Sequence, residues 1–447
     1  MVTLLAPASK SVSHRMMVGA ALAQGESLLE HVLESQDIAR TVAILRGAGA
    51  TITRLSPGVY QICGVNGRLQ GGEPLSCDVH ESGTTCRLLT AVLATGHGDF
   101  RIHGAPRMHE RPLGALTTVL QTLGVRFAFE GTTGYPPFVM HTEGLAGGTC
   151  TIELGESSQY LSGLLLAAPL AKAALCVALG GNNVVSWPYV GLTLQTLEAF
   201  GVPFTVEHIE QTGQTANWHP VNWRECSEAR PGELRFQMQP APYHAGHRVV
   251  EGDWSGASYF LAAGAVGQVP VRIEGLRADS LQGDRFLLNI LQDMGARIEV
   301  EANAVTVYPS PLHGITVDMG QCPDLVPTVA VAAAYATGAT TVQNVAHLRL
   351  KESDRIAAPL CELAKVGITA HAHADGLTVE GQGATFTAAA QLKTTRFAAH
   401  GDHRIAMSLA LLELRGGRIE LDDPACVSKS FPDFWERWDS IRQGVSA

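Results

Sequence analysis

SHRMMVGAALAQG, residues 13–25, opens on polar and basic side chains, runs through small and aliphatic residues and stops at a glycine. A helix that is apolar nearly all round is a buried helix, and a glycine just past its end accepts the left-handed backbone that terminates it. The same design returns as TTCRLLTAVLATG (84–96), SSQYLSGLLLAAPLA (157–171), WSGASYFLAAGAVG (254–267), DLVPTVAVAAAYATG (324–338) and DHRIAMSLALLELRGG (402–417). A second kind of segment alternates with it: IARTVAILRGAGATI (38–52), LGALTTVLQTLGVRF (113–127), VGLTLQTLEAFGVPF (190–204), DRFLLNILQDMGARI (284–298) and DRIAAPLCELAKVGI (354–368). FPDFWERWDSI (431–441) reads as a truncated last copy. In this set apolar residues recur at i, i+3, i+4 and i+7, as on an amphipathic helix, and a strand follows. The second set is expected to cover the first.

The buried helices start near 13, 84, 157, 254, 324 and 402, so six units of about 70 residues follow one another. That period is too long for a solenoid repeat and suits a small α/β module. The widest gap, 97 residues between the third and fourth starts, holds a polar segment, Val206 to His247, that reads as a surface loop or hairpin. A domain junction at its end leaves three modules on each side.

The composition narrows the function. With 46% hydrophobic and 17% charged residues in 447, the chain can bury a large core and is not disordered. It carries 32 basic against 42 acidic residues and no Lys/Arg run, which argues against a nucleic-acid partner. Any anion must be met by a local basic cluster. The nine cysteines are scattered, form no CxxC and are odd in number, so reduced thiols in the cytoplasm are expected. The first residues run at once into Pro7 and Lys10, without the pattern of a signal peptide. The most apolar stretch, Leu161 to Leu179, contains Pro169 and Lys172 and is read as a buried core helix rather than a membrane span.

Chemistry gathers where the buried helices begin. These starts carry Lys10, Ser11, Ser13, His14 and Arg15; Glu81, Ser82, Gly83, Thr84 and Thr85; Ser157, Ser158 and Gln159; Asp253, Trp254 and Ser255; Asp324; and Asp402, His403 and Arg404. Helix N-termini attract anions, and Ser, Thr and Asp are also ordinary N-caps. Caps do not explain Lys10, Arg15 and Arg404, and several such ends suggest more than one bound anionic group. Five charges crowd Arg349–Arg355, either as a solvated helix start or as part of the same chemistry. Arg107 with Arg111, and Ser428 with Lys429, suit a phosphate or carboxylate clamp. There is no GxxxxGK[ST], no GxGxxG after a strand and no GxSxG. The sets His371/His373/Asp375 and His400/Asp402/His403 are weak metal candidates, and no metal is expected.

PASKSVSHR (7–15), ESGTTCR (81–87), PRMHERPLG (106–114), SSQYLSGLLLAAP (157–169), VEGDWSGASYFLAA (250–263), PDLVPT (323–328), LRLKESDRI (348–356), GDHRIAM (401–407) and KSFPDF (429–434) occur in an order and spacing that resemble the 5-enolpyruvylshikimate-3-phosphate synthase family of enolpyruvyl transferases. The resemblance spans nearly the whole chain. It implies a two-domain inside-out α/β barrel, each domain of three βαβαββ-type units with buried parallel helices. The implied domains are residues 10–249, and residues 1–9 with 250–447, with the active site in the cleft between them. The implied reaction moves the enolpyruvyl group of phosphoenolpyruvate to the 5-hydroxyl of shikimate 3-phosphate through a tetrahedral intermediate, with loss of phosphate. Neither a metal nor an organic cofactor is implied; the expected partners are the two small substrates, with no membrane, and the expected state is a monomer.

Residue by residue, the resemblance assigns Ser11, Arg15, Ser157, Ser158, Ser186 and Tyr189 to shikimate 3-phosphate, together with Lys10, Asp324, Lys351 and His347. It assigns Lys10, Gly83, Arg111, Arg355, Arg404 and Lys429 to phosphoenolpyruvate, and Gln159 to both. Asp324 is the implied general base and Glu352 the implied proton exchanger at the methylene carbon. Lys10 shares the acid–base work, and His403 supports the cluster. Three departures stand out: Glu81-Ser82-Gly83 where Asn-Ala-Gly is common, His347 where Asn is common, and Trp254 where a small residue is usual. Gly83 keeps its pocket open, so inhibition by glyphosate, competitive with phosphoenolpyruvate, is expected. Basic residues come from both halves, so anionic substrates are expected to draw the halves together. Two other readings are the sister transferase acting on UDP-N-acetylglucosamine and a non-catalytic sugar-phosphate-binding paralogue.

Overall fold

The computed structural model describes residues 1–212, 215–226, 228–387, 392 and 395–446. The chain divides into two compact units, Lys10–Val250, and Met1–Ser9 with Glu251–Ala447.

In the first unit each module builds one sheet. The sheets run, strand by strand, His247–Val249, Glu26–Glu30, Val59–Cys63, Thr51–Ser56; then Leu75–Asp78, His97–His103, Phe138–Glu143, Arg126–Phe129. The third runs Gly148–Leu154, Leu175–Val184, Leu234–Met238, Phe204–Thr212 and Thr215–Pro220. In every sheet the first two strands are parallel and the rest antiparallel. A parallel pair needs a crossover, and in the second and third modules Gly83–Leu93 and Gln159–Ala167 supply it. The extra edge strand Thr215–Pro220 pairs Glu207 with Pro220 and His208 with His219 and widens the sheet, but the polar 206–247 segment is more than a surface loop or hairpin: its Leu234–Met238 is an inner strand between Leu175–Val184 and Phe204–Thr212.

The second unit repeats the plan. Val2–Leu5, Val271–Glu274, Ala304–Tyr308 and Arg297–Glu301 form one sheet, and Thr316–Asp318, Thr337–Gln343, Leu377–Gln382 and Ala370–Ala372 another. The last module keeps, among the described residues, only the parallel pair Arg396–Phe397 and Glu420–Leu421 before the closing helix Phe434–Ser446. Each unit takes a first strand from a distant part of the chain: Val2–Leu5 here, His247–Val249 in the other.

The two helix classes are real. Every residue of Gly83–Leu93 is buried, whereas Gln36–Gly47 buries one stripe. Small residues let the buried helices pack closely. A Cβ on Gly163 would lie 2.8 Å from the carbonyl oxygen of Arg87 and 3.0 Å from Ala91 Cβ. One expectation fails. Leu161 to Leu179 is not a single helix: the α-helix ends at Ala167, a 3-10 turn covers Ala168–Leu170, and a strand begins at Leu175. Pro169 lacks the N–H that would continue the ladder and crowds the preceding turn. Among the described residues no helix is long and apolar enough to cross a membrane.

Candidate active site

Each unit carries a cluster of polar side chains at the starts of its buried helices. In Lys10–Val250, Lys10 opens its helix and places Nζ 3.3 Å from Asp37 Oδ2. Asp37 is itself 4% exposed, in the first turn of Gln36–Gly47. His14 Nδ1 lies 2.8 Å from Thr41 Oγ1, which lies 2.8 Å from Thr85 Oγ1, which lies 2.7 Å from Ser82 Oγ. Ser82 caps the Gly83 helix by accepting from Thr85 N at 3.2 Å. Burial pushes His14 down to about 3, so a neutral imidazole starts this chain of hydroxyls. Helix starts that are far apart in sequence are tied laterally.

Gln159 extends the tie. Its Nε2 donates to Thr84 Oγ1 at 2.9 Å, and its Oε1 accepts from Arg87 Nη1 at 3.3 Å. Arg111, 4% exposed, donates to the carbonyl oxygen of Glu81 at 3.3 Å. Arg87 and Arg111 flank Gly83, where an added Cβ would sit 2.6 Å from one guanidinium and 2.5 Å from the other. That contact is to the Glu81 backbone, which any residue at the position would present. Ser157 accepts from Gln159 N at 3.3 Å, and Ser158 donates to the carbonyl of Ser186 at 2.8 Å. Ser186 has φ +55°, a left-handed conformation uncommon for serine. Arg15 is wholly buried; it donates to Thr193 Oγ1, Ser162 Oγ and the carbonyls of Ser11 and Tyr189. Four of its five N–H groups are thereby spent, and burial lowers it to about 10.

The second unit concentrates charge. Arg355, 2% exposed, reaches both oxygens of Asp402 at 2.8 and 3.1 Å, Asp324 Oδ1 at 2.9 Å and Glu352 Oε2 at 2.9 Å. Arg404 Nη2 holds the other Asp324 oxygen at 2.8 Å, and its Nη1 donates to Ser255 Oγ. Lys429 Nζ lies 3.5 Å from Glu352 Oε1. Burial pushes Asp324 up, but Arg404, Arg355 and Lys351 outweigh it and hold the carboxyl well below the usual range. Asp402 also caps its helix, accepting from Arg404 N at 3.0 Å, and accepts from Ser353 Oγ at 3.0 Å. His403, 1% exposed, has Nδ1 3.8 Å from Asp402 Oδ1. His347 is 8% exposed; burial, then Lys351, lower it to about 3.

The Arg349–Arg355 run divides. Asp354 accepts from Ile356 N and Ala357 N and pairs with Arg349 at 2.9 Å, as a helix cap does. Glu352 and Arg355 turn into the cluster. Both readings of that run therefore apply, to different residues. Trp254 opens the helix Trp254–Val266 and is fully buried, and its backbone N–H donates to Gln282 Oε1 at 3.1 Å. Its bulk belongs to the core.

The nominated residues fall into two groups: Lys10, Ser11, Arg15, Gly83, Arg111, Ser157, Ser158, Gln159, Ser186 and Tyr189 in one unit, and Asp324, His347, Lys351, Glu352, Arg355, His403, Arg404 and Lys429 in the other. Sequence reasoning missed Asp37, Arg87 and Asp284, and marked Ser255 only as one polar residue at a helix start. The signal for Arg87 was there: a lone cation one turn into an otherwise apolar buried helix.

The cluster is a set of buried cations whose counter-ions are two candidate acid–base carboxylates and one capping aspartate. Such cations can exchange their own carboxylates for those of a ligand or for phosphate, and such carboxyls can move protons. The sequence profile of the family described as EPSP synthase (3-phosphoshikimate 1-carboxyvinyltransferase) matches residues 2–224 and 228–438. The 3-phosphoshikimate 1-carboxyvinyltransferase of Methanosphaerula palustris is 38% identical over 433 residues, covering 96% of this chain and 94% of its own. The enzyme of the same name from Marinomonas sp. (strain MWYL1) is 36% identical over 441 residues, covering 97% and 95%. A solved structure of EPSP synthase from Acinetobacter baumannii superposes with a TM-score of 0.76 at 26% identity, covering 98% of this chain and 95% of that one.

Proposed function

Because the chain belongs to the EPSP synthase (3-phosphoshikimate 1-carboxyvinyltransferase) family, we propose that it transfers the enolpyruvyl group of phosphoenolpyruvate to the 5-hydroxyl of shikimate 3-phosphate, releasing phosphate. The observation that carries the residue assignment is Asp324 held between Arg355 and Arg404, with Glu352 between Arg355 and Lys429.

In the proposed course, Arg355, Arg404, Lys429, Lys10 and Arg111 hold the anionic donor beside Gly83. Ser11, Arg15, Ser157, Ser158, Ser186, Tyr189 and Lys351 hold the acceptor, with Gln159 reaching both. The 5-hydroxyl oxygen bonds to C2 of the donor while its proton passes to Asp324 and C3 gains a proton from Glu352. The tetrahedral adduct then breaks its C2–O bond to phosphate. Glu352 takes a proton back from C3, the proton held by Asp324 passes to the leaving phosphate, and the enol ether and phosphate are released. Lys10 neutralises the departing charge, and His403, beside Asp402, and His347, near Lys351, support the cluster of their own unit. The proposed setting is the cytoplasm, which nine cysteines present as free thiols support.

The test is phosphate release from phosphoenolpyruvate with either shikimate 3-phosphate or UDP-N-acetylglucosamine as acceptor, with Asp324→Ala as control. Release with shikimate 3-phosphate alone, lost in the variant, is expected. Release with the nucleotide sugar, or with neither acceptor, overturns the reading.

A further inference from the structure

A buried carboxyl with no part in the proposed chemistry lies behind Arg404. Asp284, 3% exposed, sits in the 3-10 turn Gly283–Phe286, which packs against the helix Trp254–Val266. Its Oδ1 has no hydrogen-bond partner among the described residues. Its carboxyl shares a hydrogen bond with Ser255, the second residue of that helix. The Ser255 hydroxyl accepts from Arg404 Nη1, and Arg404 Nη2 donates to Asp324 at 2.8 Å. Asp284, Ser255, Arg404 and Asp324 thus form one connected row.

A buried carboxylate with an unfilled acceptor oxygen is costly, and a neutral acid is less so. The charged groups that face Asp284 are Asp324 and Asp253, which disfavour its ionisation, and Arg404, which favours it. The thiol of Cys322 is also close enough to feel its charge. Burial first, then Asp324, push Asp284 up to about 7 against Arg404 and the Ser255 bond.

We propose that Asp284 is a positioning residue for Arg404, acting through Ser255, and that binding of the anionic donor at Arg404 is coupled to protonation of Asp284. The inference rests on the assignment of Arg404 to the donor. An anion arriving on the far side of the row adds negative charge near Asp284 and favours its neutral form. Below pH 7 the carboxyl is already neutral, and binding is indifferent to it. Above pH 7 it is ionised, so binding draws a proton from solvent and affinity falls as pH rises, until the pKa of the complex is passed.

Phosphoenolpyruvate is titrated into the whole enzyme by calorimetry at pH 8, in two buffers of different ionisation enthalpy, and its KM is measured from pH 6 to 9 by phosphate release. Wild type and Asp284→Asn are compared, so that the donor's own ionisation cancels. Up to one more proton is taken up by wild type per donor bound, and its KM rises up to roughly tenfold per pH unit more steeply than that of the variant above pH 7. Equal proton uptake, or parallel KM profiles, overturns the proposal. Ser255→Ala is the second variant: it keeps the carboxyl, breaks the row, and is expected to show the same flattened profile. A wild-type profile in Ser255→Ala also overturns the proposal. Donor that does not bind wild type at all overturns the parent assignment, and is read separately from a lost proton.

Discussion

Alanine at Gly83 puts the anion-site assignment under direct strain. Gly83 is the first residue of its helix and its φ is not positive, so the backbone accepts alanine. Helix propensity alone favours the change by up to about 1 kcal/mol. Sterics oppose it. The new Cβ would stand 2.5 Å from Arg111 Nη2 and 2.6 Å from Arg87 Nη1, roughly 1 Å inside comfortable contact. Neither guanidinium can simply leave. Arg111 and Arg87 are 4% and 5% exposed, and each is tied, one to the carbonyl of Glu81 and the other to Gln159. Overpacking of this kind costs about 1–3 kcal/mol if nothing moves. If the arginines shift instead, the strain is relieved and the loss moves to whatever anion they hold.

A hydrogen bond to a charged group is worth about 1.5–3 kcal/mol. Losing one at about 2 kcal/mol predicts a rise of roughly 30-fold in the KM for phosphoenolpyruvate. The KM for shikimate 3-phosphate should move less than about threefold, because among that substrate's proposed ligands Gln159 adjoins the new methyl only through Arg87 and is uncharged; a charge-assisted bond lost there would exceed this. Steady-state phosphate release with each substrate varied in turn reads both numbers, and an unfolding curve checks that the variant is folded. Glyphosate should compete with phosphoenolpyruvate in wild type and weaken in parallel in the variant. A folded variant whose KM for phosphoenolpyruvate stays within twofold of wild type refutes the reasoning.

Asp324→Ala should lower kcat by about 10²–10⁴-fold while the protein stays folded by circular dichroism; activity within tenfold of wild type would remove it as the base. Asp402→Asn leaves Arg355 without its two-oxygen counter-ion, and should destabilise by about 3–5 kcal/mol, a fall in Tm on the order of 10 °C; an unchanged Tm by calorimetry would show that the pair adds nothing. His14 and His347 are both lowered to about 3. Their unfolded forms gain protons below about pH 6.5 that the folded forms refuse, so the stability they confer is complete above pH 6.5 and lost as pH falls toward 3, by about 1.4 kcal/mol per pH unit each. Chemical denaturation between pH 6 and 4 should show that slope, and His347→Asn should shed about half of it.

The fold was legible because two physical signals repeated. Helices without a polar face must be buried, and helices with a stripe must cover them, so alternation along the chain spelled out modules before any contact was known. Leu161 to Leu179 was misread for an equally physical reason. An apolar run has no phase that separates a buried helix from a buried strand, and Pro169 was the sole local marker of the break. In the site, Lys10, Arg15, Arg355 and Arg404 were visible as charges in a chain poor in charge. Their partners were not. Asp324 and Arg404 are 80 residues apart and Lys10 and Asp37 are 27 apart; nothing local records such pairings. Asp284 lies inside an amphipathic segment, where it reads as an ordinary first-turn acid.

Those pairings bear on how a base can work among cations. A carboxylate bonded to two guanidiniums is a weak base, because each bond stabilises the ionised form. Asp324 has one such bond on each oxygen, 2.9 Å to Arg355 and 2.8 Å to Arg404, and would make a poor acceptor for a hydroxyl proton while both persist. Arg355 and Arg404 are also the cations proposed to receive the donor. A donor carboxylate or phosphate that takes over the N–H given to Asp324 by either arginine removes that bond from the carboxylate, and its own negative charge raises the carboxyl further. Base strength would therefore be supplied with the substrate rather than stored beforehand. The same competition limits the cost of keeping two arginines buried: Arg355 retains both oxygens of Asp402, a capping residue outside the proposed exchange, so one counter-ion is fixed while another is released. Fixed pairing preserves the geometry of the anion site, and exchangeable pairing tunes its acid–base partner.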